Sequence, residues 1–272
     1  MDVTILIIVG LVVGVVGGML GVGGGIILIP ALNEVLGPNQ HLYQATAMIV
    51  NLFVAVPAVY QHQCARAIDF HTVVRMTPLA MVAVLLGVGV SELGVFAGEG
   101  EAYLRGLFGL FLLACAAYDA YRLWTRTEEA ITADARSNSR PSMGWGAIAV
   151  IALPTGFVSG LLGVGGGIVA VPLQRRLLRV PMRTAIANSA TIIVATSLVG
   201  ALFKNYAYLR GGGGDAHPTG LAAVLVPTAV LGSLLGSRTV HRVSLRVVKG
   251  AFVLVLLAAS LRLMHSALPA VR

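Results

Sequence analysis

Eight glycines in two matched runs are the residues of this chain best suited to do chemistry. The first run is Gly21-Val22-Gly23-Gly24-Gly25, followed by Pro30; the second is Gly163-Val164-Gly165-Gly166-Gly167, followed by Pro172. Glycine tolerates positive φ and lets backbone amides come close to a ligand. A helix that breaks and restarts there exposes unpaired N–H groups at the positive end of a helix dipole. Such an end binds anions without a charged side chain. Both runs lie in stretches apolar enough for a bilayer, where irregular backbone survives only against protein or a wet cavity. Glycine- and proline-interrupted segments at matching places in two halves point to a transporter's binding site. A nucleotide loop is excluded, because no Lys-Ser/Thr follows either run and neither sits in a strand–turn–helix context. The single pairs Gly10/Gly14, Gly17/Gly21 and Gly232/Gly236 fit close helix packing.

Polar residues inside apolar segments form a second set of candidates, because they are costly there and often functional. In the first half they are Thr46, Asn51, Gln61 and His62. In the second they are Asn188, Ser189, Thr191, Thr196, Ser197, Lys204 and Asn205. Thr46 and Asn51 fall about a turn apart, and Asn188 and Thr191 share a helix face. These groups can hydrogen-bond the oxygens of an oxyanion or bond between helices. His62 and Lys204 are expected to close their helices, where their charges reach water at a mouth. Pro30 and Pro172 close the two glycine motifs, as hinges or as sources of an exposed carbonyl. Asp119, near the end of the fourth segment, fits proton coupling or an interfacial carboxylate. No catalytic constellation is present: the six histidines are scattered, with no nucleophile elbow and no H-E-x-x-H pattern. Cys64 and Cys115 give neither a disulfide framework nor a metal-ligand spacing. No enzyme activity, cofactor or metal is expected.

The elements that must position these groups are membrane helices. The chain has 272 residues, 57% of them hydrophobic and 11% charged, with mean hydropathy +0.88. A soluble chain carries about 25% charged residues, so much of this surface must face lipid. The net charge of +8 sits in short loops between apolar runs, which fits cytoplasmic anchoring better than nucleic-acid binding. The first apolar run lacks a basic leader and a small-residue cleavage site, so a cleaved signal peptide is not expected. Apolar segments cover 3–32, 44–62, 73–93, 102–123, 145–174, 184–203, 220–240 and 246–264. Each matches or exceeds the ~20 residues a spanning helix needs.

Two halves emerge: a first membrane repeat over 1–123, a cytoplasmic linker over 124–143, and a second repeat over 144–272. The halves match beyond the glycines. Ala45-Thr46-Ala47 pairs with Ala185-Ile186-Ala187, Pro78 and Gly87 with Pro227 and Gly236, and Leu104-Arg105 with Leu245-Arg246. Equivalent loops differ in charge. The loop with Glu34 matches one with Arg175, Arg176, Arg179 and Arg183. The loop with Glu92, Glu99 and Glu101 matches one with Arg238, Arg242, Arg246 and Lys249. Positive residues collect on the cytoplasmic side, so the halves read as inverted, each opening with a re-entrant-like hairpin broken at its triple glycine. Eight ordinary spans are the alternative.

These residues resemble the sulfite exporter TauE/SafE family. The doubled G-x-x-G-x-G-G-G-x-x-x-x-P pattern, Gly18–Pro30 and Gly160–Pro172, carries the likeness, with the Ala-Thr and Asn-Ser segments and the layout of four segments in each half. The resemblance implies an all-α polytopic permease of the bacterial inner membrane for small anions, typically sulfite, sulfoacetate or related organosulfur compounds. The expected substrate-binding residues are Gly21, Gly23, Gly24, Gly25, Thr46, Asn51, Gly163, Gly165, Gly166, Gly167, Asn188, Ser189 and Thr191. Pro30, His62, Pro172 and Lys204 are expected at gates or mouths. The expected partners are a small anion, the lipid bilayer and a coupled proton or ion, with no nucleic acid; a homo-oligomer is left open. An anion channel, a permease for an unrelated solute and an intramembrane enzyme remain as alternatives.

Overall fold

The computed structural model describes residues 3–125, 144–211, 217–239 and 245–267. Linker residues 126–143 and Arg242 lie outside the described residues, as do the side chains of Glu99, Arg246 and Lys249. The described residues form helices α1 (Val3–Leu20), α2 (Gly25–Leu36), α3 (Gln40–Cys64), α4 (Phe70–Ser91) and α5 (Glu101–Thr125). The second half gives α6 (Trp145–Leu162), α7 (Gly167–Leu177), α8 (Met182–Arg210), α9 (Pro218–Thr239) and α10 (Leu245–Ala267). No strand occurs among the described residues. Among the described residues, seven helices, α1, α3, α4, α5, α6, α8 and α9, are long and apolar enough to cross a membrane.

Local chemistry sets the helix boundaries. Both glycine segments break at their triple glycine, so 3–32 becomes α1 and α2, and 145–174 becomes α6 and α7. Gly21, Gly23, Gly163, Gly165 and Gly166 hold φ between 61 and 87, a region that residues with a Cβ rarely adopt. The Asn39 side chain caps α3 by accepting from Leu42 N at 3.1 Å. Asp69 caps α4, its Oδ1 accepting from Thr72 N at 3.4 Å while its Oδ2 accepts from Thr72 Oγ1 at 2.7 Å. Pro30 and Pro172 lie inside their helices: α2 runs on to Leu36 and α7 to Leu177. Each proline is the sixth helical residue, so its ring costs only the partner of one first-turn carbonyl.

Glycine faces fix how the helices meet. A Cβ on Gly14 would strike the backbone of Ala229, and one on Gly18 the backbone of Ser233. Steps of four on both helices mean that α1 and α9 run parallel in close contact. The same relation joins α6 to α4, where Gly156 meets Ala80 and Gly160 meets Val84. Gly236 and Gly87, the glycines nine residues after Pro227 and Pro78, abut Val15 of α1 and Phe157 of α6. α3 and α8 pair antiparallel, with Asn205 bonded to Ala45 O at 3.3 Å and Gly200 against Met48. α5 and α10 are antiparallel too, with Gly106 facing Ala267 and Gly109 facing Ser260. α9 runs with α3, since Thr46 lies by Pro218 O and Ser233 Oγ bonds Val54 O at 2.6 Å. Contacts therefore recur when the halves are exchanged: α1 with α9 and α6 with α4, α2 with α3 and α7 with α8. Two pairs of corresponding helices, α3 with α8 and α5 with α10, run in opposite directions.

Candidate functional site

The two glycine breaks meet backbone to backbone in the interior. A Cβ on Gly25 would collide with Gly163 O and lie 3.1 Å from Val164 Cα. Reciprocally, a Cβ on Gly167 would collide with Gly21 O and lie 2.6 Å from Val22 Cα. One on Gly23 would sit 2.7 Å from Val164 O. Residues 21–25 and 163–167 are buried without exception. Side chains at these positions would separate the breaks, so glycine is required here for close approach as well as for φ.

Asn51 of α3 joins the two breaks. Its Oδ1 accepts from Gly25 N at 2.7 Å, and its Nδ2 donates to Gly163 O at 3.1 Å. The side chain is fully buried. Ser189 of α8 acts on the first break from the other half, donating from Oγ to Gly21 O at 2.8 Å. Gln44, which the sequence reading passed over, donates from Nε2 to Leu161 O at 3.1 Å, just before the second break. It stands seven residues before Asn51, two turns along the same face of α3. That spacing of two carboxamides in an apolar segment was a usable signal.

The other expected binding residues sit elsewhere. Thr46 Oγ1 donates to Leu42 O of its own helix at 2.8 Å. Thr191 Oγ1 does the same to Ala187 O at 2.9 Å. Asn188 is fully buried and ties three segments together. Its Nδ2 donates to Gln174 Oε1 of α7 at 3.1 Å, and its Oδ1 accepts from Asp69 N before α4 at 2.8 Å. His62 is 4% exposed, in the last turn of α3.

Lys204 requires the largest correction. It does not close its helix towards water, because α8 continues to Arg210 and the side chain is fully buried. Its Nζ lies 2.5 Å from Glu92 Oε1 and donates to Ser91 Oγ at 2.8 Å. The third contact is His41 Nδ1 at 3.1 Å. His41 Nε2 faces Phe96 O at 2.9 Å, and its Nδ1 also lies 3.4 Å from Glu92 Oε1. Burial pushes the Glu92 carboxyl up, but the hydrogen bond from His41 and the charge of Lys204 outweigh it, lowering the pKa to about 2. Glu101 caps the start of α3 beside this cluster, accepting from the Gln40 and His41 amides. The cluster pins the end of α8 to the start of α3 and the end of α4.

A cavity of about 330 Å³ opens beside the breaks, among α5, α7, α10 and the start of α8. Val22 and Ile168, next to the two breaks, line it together with Asp119, Arg175 and Arg176. No group of His, Cys, Asp and Glu able to hold a metal ion occurs among the described residues.

Comparison with known proteins agrees with this architecture. Residues 6–263 match the family model described as sulfite exporter TauE/SafE. The chain is 29% identical to a probable membrane transporter protein MamO of Paramagnetospirillum magneticum, over 97% of this chain and 45% of that protein. It thus spans under half the length of the MamO proteins it matches. It is 28% identical to the probable membrane transporter protein YunE of Bacillus subtilis, covering 87% of this chain and 88% of that protein. YjnA of the same organism, also named a probable membrane transporter protein, is 26% identical over 95% of this chain. No solved structure matches the chain. With seven span-length helices and a family match from residue 6 to residue 263, this multi-pass membrane protein belongs to the sulfite exporter TauE/SafE family of transporters.

Proposed function

We propose that the protein is a permease of the bacterial inner membrane that moves a small anion, sulfite or a short organosulfonate such as sulfoacetate, by alternating access. The observation that carries this reading is the meeting of the two glycine breaks, with the N-terminal ends of α2 and α7 at the contact. Helix N-termini present amides and positive dipole ends to an anion. Glycine keeps those amides within reach of a ligand. The halves act as inverted repeats, a reading supported by the opposite directions of corresponding helices and by the opposite charge of equivalent loops. Gly10, Gly14, Gly232 and Gly236 serve packing between α1 and α9.

Uptake of radiolabelled sulfite into proteoliposomes tests this function, with unlabelled sulfoacetate, sulfate, thiosulfate, acetate and chloride as competitors. Saturable uptake blocked by sulfite or a sulfonate is the expected result. Absence of flux and of competition, in protein shown to be folded, would remove the sulfur-anion assignment. Unsaturable conductance would replace the permease with a channel.

A further inference from the structure

His41 Nδ1 lies between a donor and an acceptor, 3.1 Å from Lys204 Nζ and 3.4 Å from Glu92 Oε1. It cannot serve both at once. As a bare nitrogen it accepts from the ammonium; carrying a proton it donates to the carboxylate and turns an N–H on Lys204. The ring need not move between these states. Phe96 O can only accept, so the contact at 2.9 Å keeps a proton on Nε2 in both. Histidine is the side chain that ordinarily changes charge between pH 5 and 8. Glu92, its pKa lowered to about 2, stays ionised throughout that range. The cluster is also within reach of water. A cavity of about 270 Å³ is lined by His41, Glu92 and Glu101. His41 and Glu92 keep 18% and 29% of their side chains exposed, whereas Lys204 keeps none. Among the described residues, the other titratable or charged groups around the cluster are Tyr43 of α3, Glu101 and Arg105 of α5 and Tyr208 of α8.

The cluster ties the halves together. His41, Ser91 and Glu92 come from the first half and Lys204 from the second. The same two helices hold the glycine breaks. Asn51 stands ten residues after His41 on α3, about 15 Å away, and Ser189 stands fifteen before Lys204 on α8, about 22 Å away. Arg175, Arg176, Arg179 and Arg183 lie at the opposite end of α8, which puts the cluster on the outer face if basic loops face the cytoplasm. We propose that His41, Glu92 and Lys204 form a proton-binding site on that face, a latch between the halves that one proton at His41 Nδ1 releases. The inference rests on the permease reading above and adds the coupled ion to it. A proton arriving through the cavity takes the lone pair that Lys204 was using. Lys204 is left with Ser91 and with a Glu92 that it now shares with a second cation. α3 and α8 then slide past each other, carrying Asn51 and Ser189 and with them the two breaks.

The test pairs a distance with a flux. Spin labels are placed at Val95 and Leu209, exposed positions in the two halves, in a chain lacking Cys64 and Cys115. Their separation is read in the purified protein at about pH 8 and pH 5, the ends of the histidine range. Uptake of labelled sulfoacetate into proteoliposomes is followed between the same limits, where both its acids are largely ionised. The wild type should show a longer separation at the acid end and a flux rising by up to about tenfold per pH unit, the limit for one proton. His41→Gln stays neutral at every pH and should abolish both responses. Glu92→Gln removes the acceptor of the protonated state and should abolish them too; it serves if His41→Gln does not fold. A separation that ignores pH in the wild type, or either response surviving in these variants, would overturn the inference. A His41-dependent change in separation with no flux of any anion would keep the proton site and remove the permease. Sulfoacetate flux that ignores pH would do the reverse.

Discussion

Replacing Asn51 with Ala tests whether the junction of the two breaks is held by one carboxamide. The side chain makes two hydrogen bonds to buried backbone, to Gly25 N at 2.7 Å and to Gly163 O at 3.1 Å. Alanine satisfies neither. An orphaned buried donor or acceptor costs about 1–3 kcal/mol, so two orphans cost about 2–6 kcal/mol. The average side-chain hydrogen bond between membrane helices contributes only about 0.6 kcal/mol, because its partners find substitutes. Gly25 and Gly163 are packed against each other's segments in the buried interior. The loss should therefore fall in the orphan range. Ser189→Ala, which frees only Gly21 O, should cost about half as much. Thr46→Val, whose hydroxyl bonds its own helix, should cost about 0.6 kcal/mol or less. Reversible unfolding in mixed micelles gives all three values. A destabilisation by Asn51→Ala no larger than that by Thr46→Val would refute the reasoning, because the carboxamide would then be dispensable to the junction.

Three further outcomes follow from the same contacts. Gly166→Ala places a Cβ 2.5 Å from Thr155 O at φ 76, so it should abolish assembly or transport beyond rescue by any side-chain truncation. Gly24→Ala meets chiefly the Val13 side chain at an ordinary φ, so Val13→Ala should restore it; expression and flux report both. The Glu92 pKa lies near 2 in the folded protein against an ordinary 4.5. Its stabilisation is therefore complete above about pH 4.5 and lost as pH falls towards 2; Lys204→Met should shrink that acid-induced loss of thermal stability. Single cysteines at Val35 and Arg179, in a chain lacking Cys64 and Cys115, should label from opposite membrane faces, and labelling from one face would refute the inverted arrangement.

Much of the fold was legible because bilayer physics leaves few options. Long apolar segments separated by basic or acidic loops can only be helices, and the doubled glycine run located both breaks. The matched glycines Gly87 and Gly236 marked the two contacts that seat α6 on α4 and α1 on α9. Lys204 was misread because helix length is poorly fixed by hydropathy. α8 continues past the apolar segment to Arg210, and the cation is covered by residues from two distant helices. Nothing local to Lys204 announces His41 or Glu92, which lie 163 and 112 residues away. Gln44 was missed because a lone glutamine near a helix start reads as interfacial.

The polar groups of the bundle bear on what a ligand at the breaks could touch. Asn51, Ser189, Asn188, Thr46 and Thr191 were read as hydrogen-bonding a substrate, yet each has a partner within the protein. In a low-dielectric interior such groups hold backbone more cheaply than they can be left waiting for a ligand. A transported anion must therefore rely on backbone amides of the breaks, or compete with a side chain for one. Gly25 N is already held by Asn51, whereas Ser189, at the opposite restart, holds a carbonyl and leaves the Gly167 amide uncapped by a side chain. The two breaks thus differ in backbone, Gly24 being right-handed where Gly166 is left-handed, and in their remaining donors. If the amides bind the anion, Asn51→Asp should alter flux more than Ser189→Ala. The aspartate keeps the acceptor for Gly25 N but adds a negative charge beside the proposed site. Equal flux in the two variants, measured in protein of equal stability, would separate the glycine breaks from the anion's path.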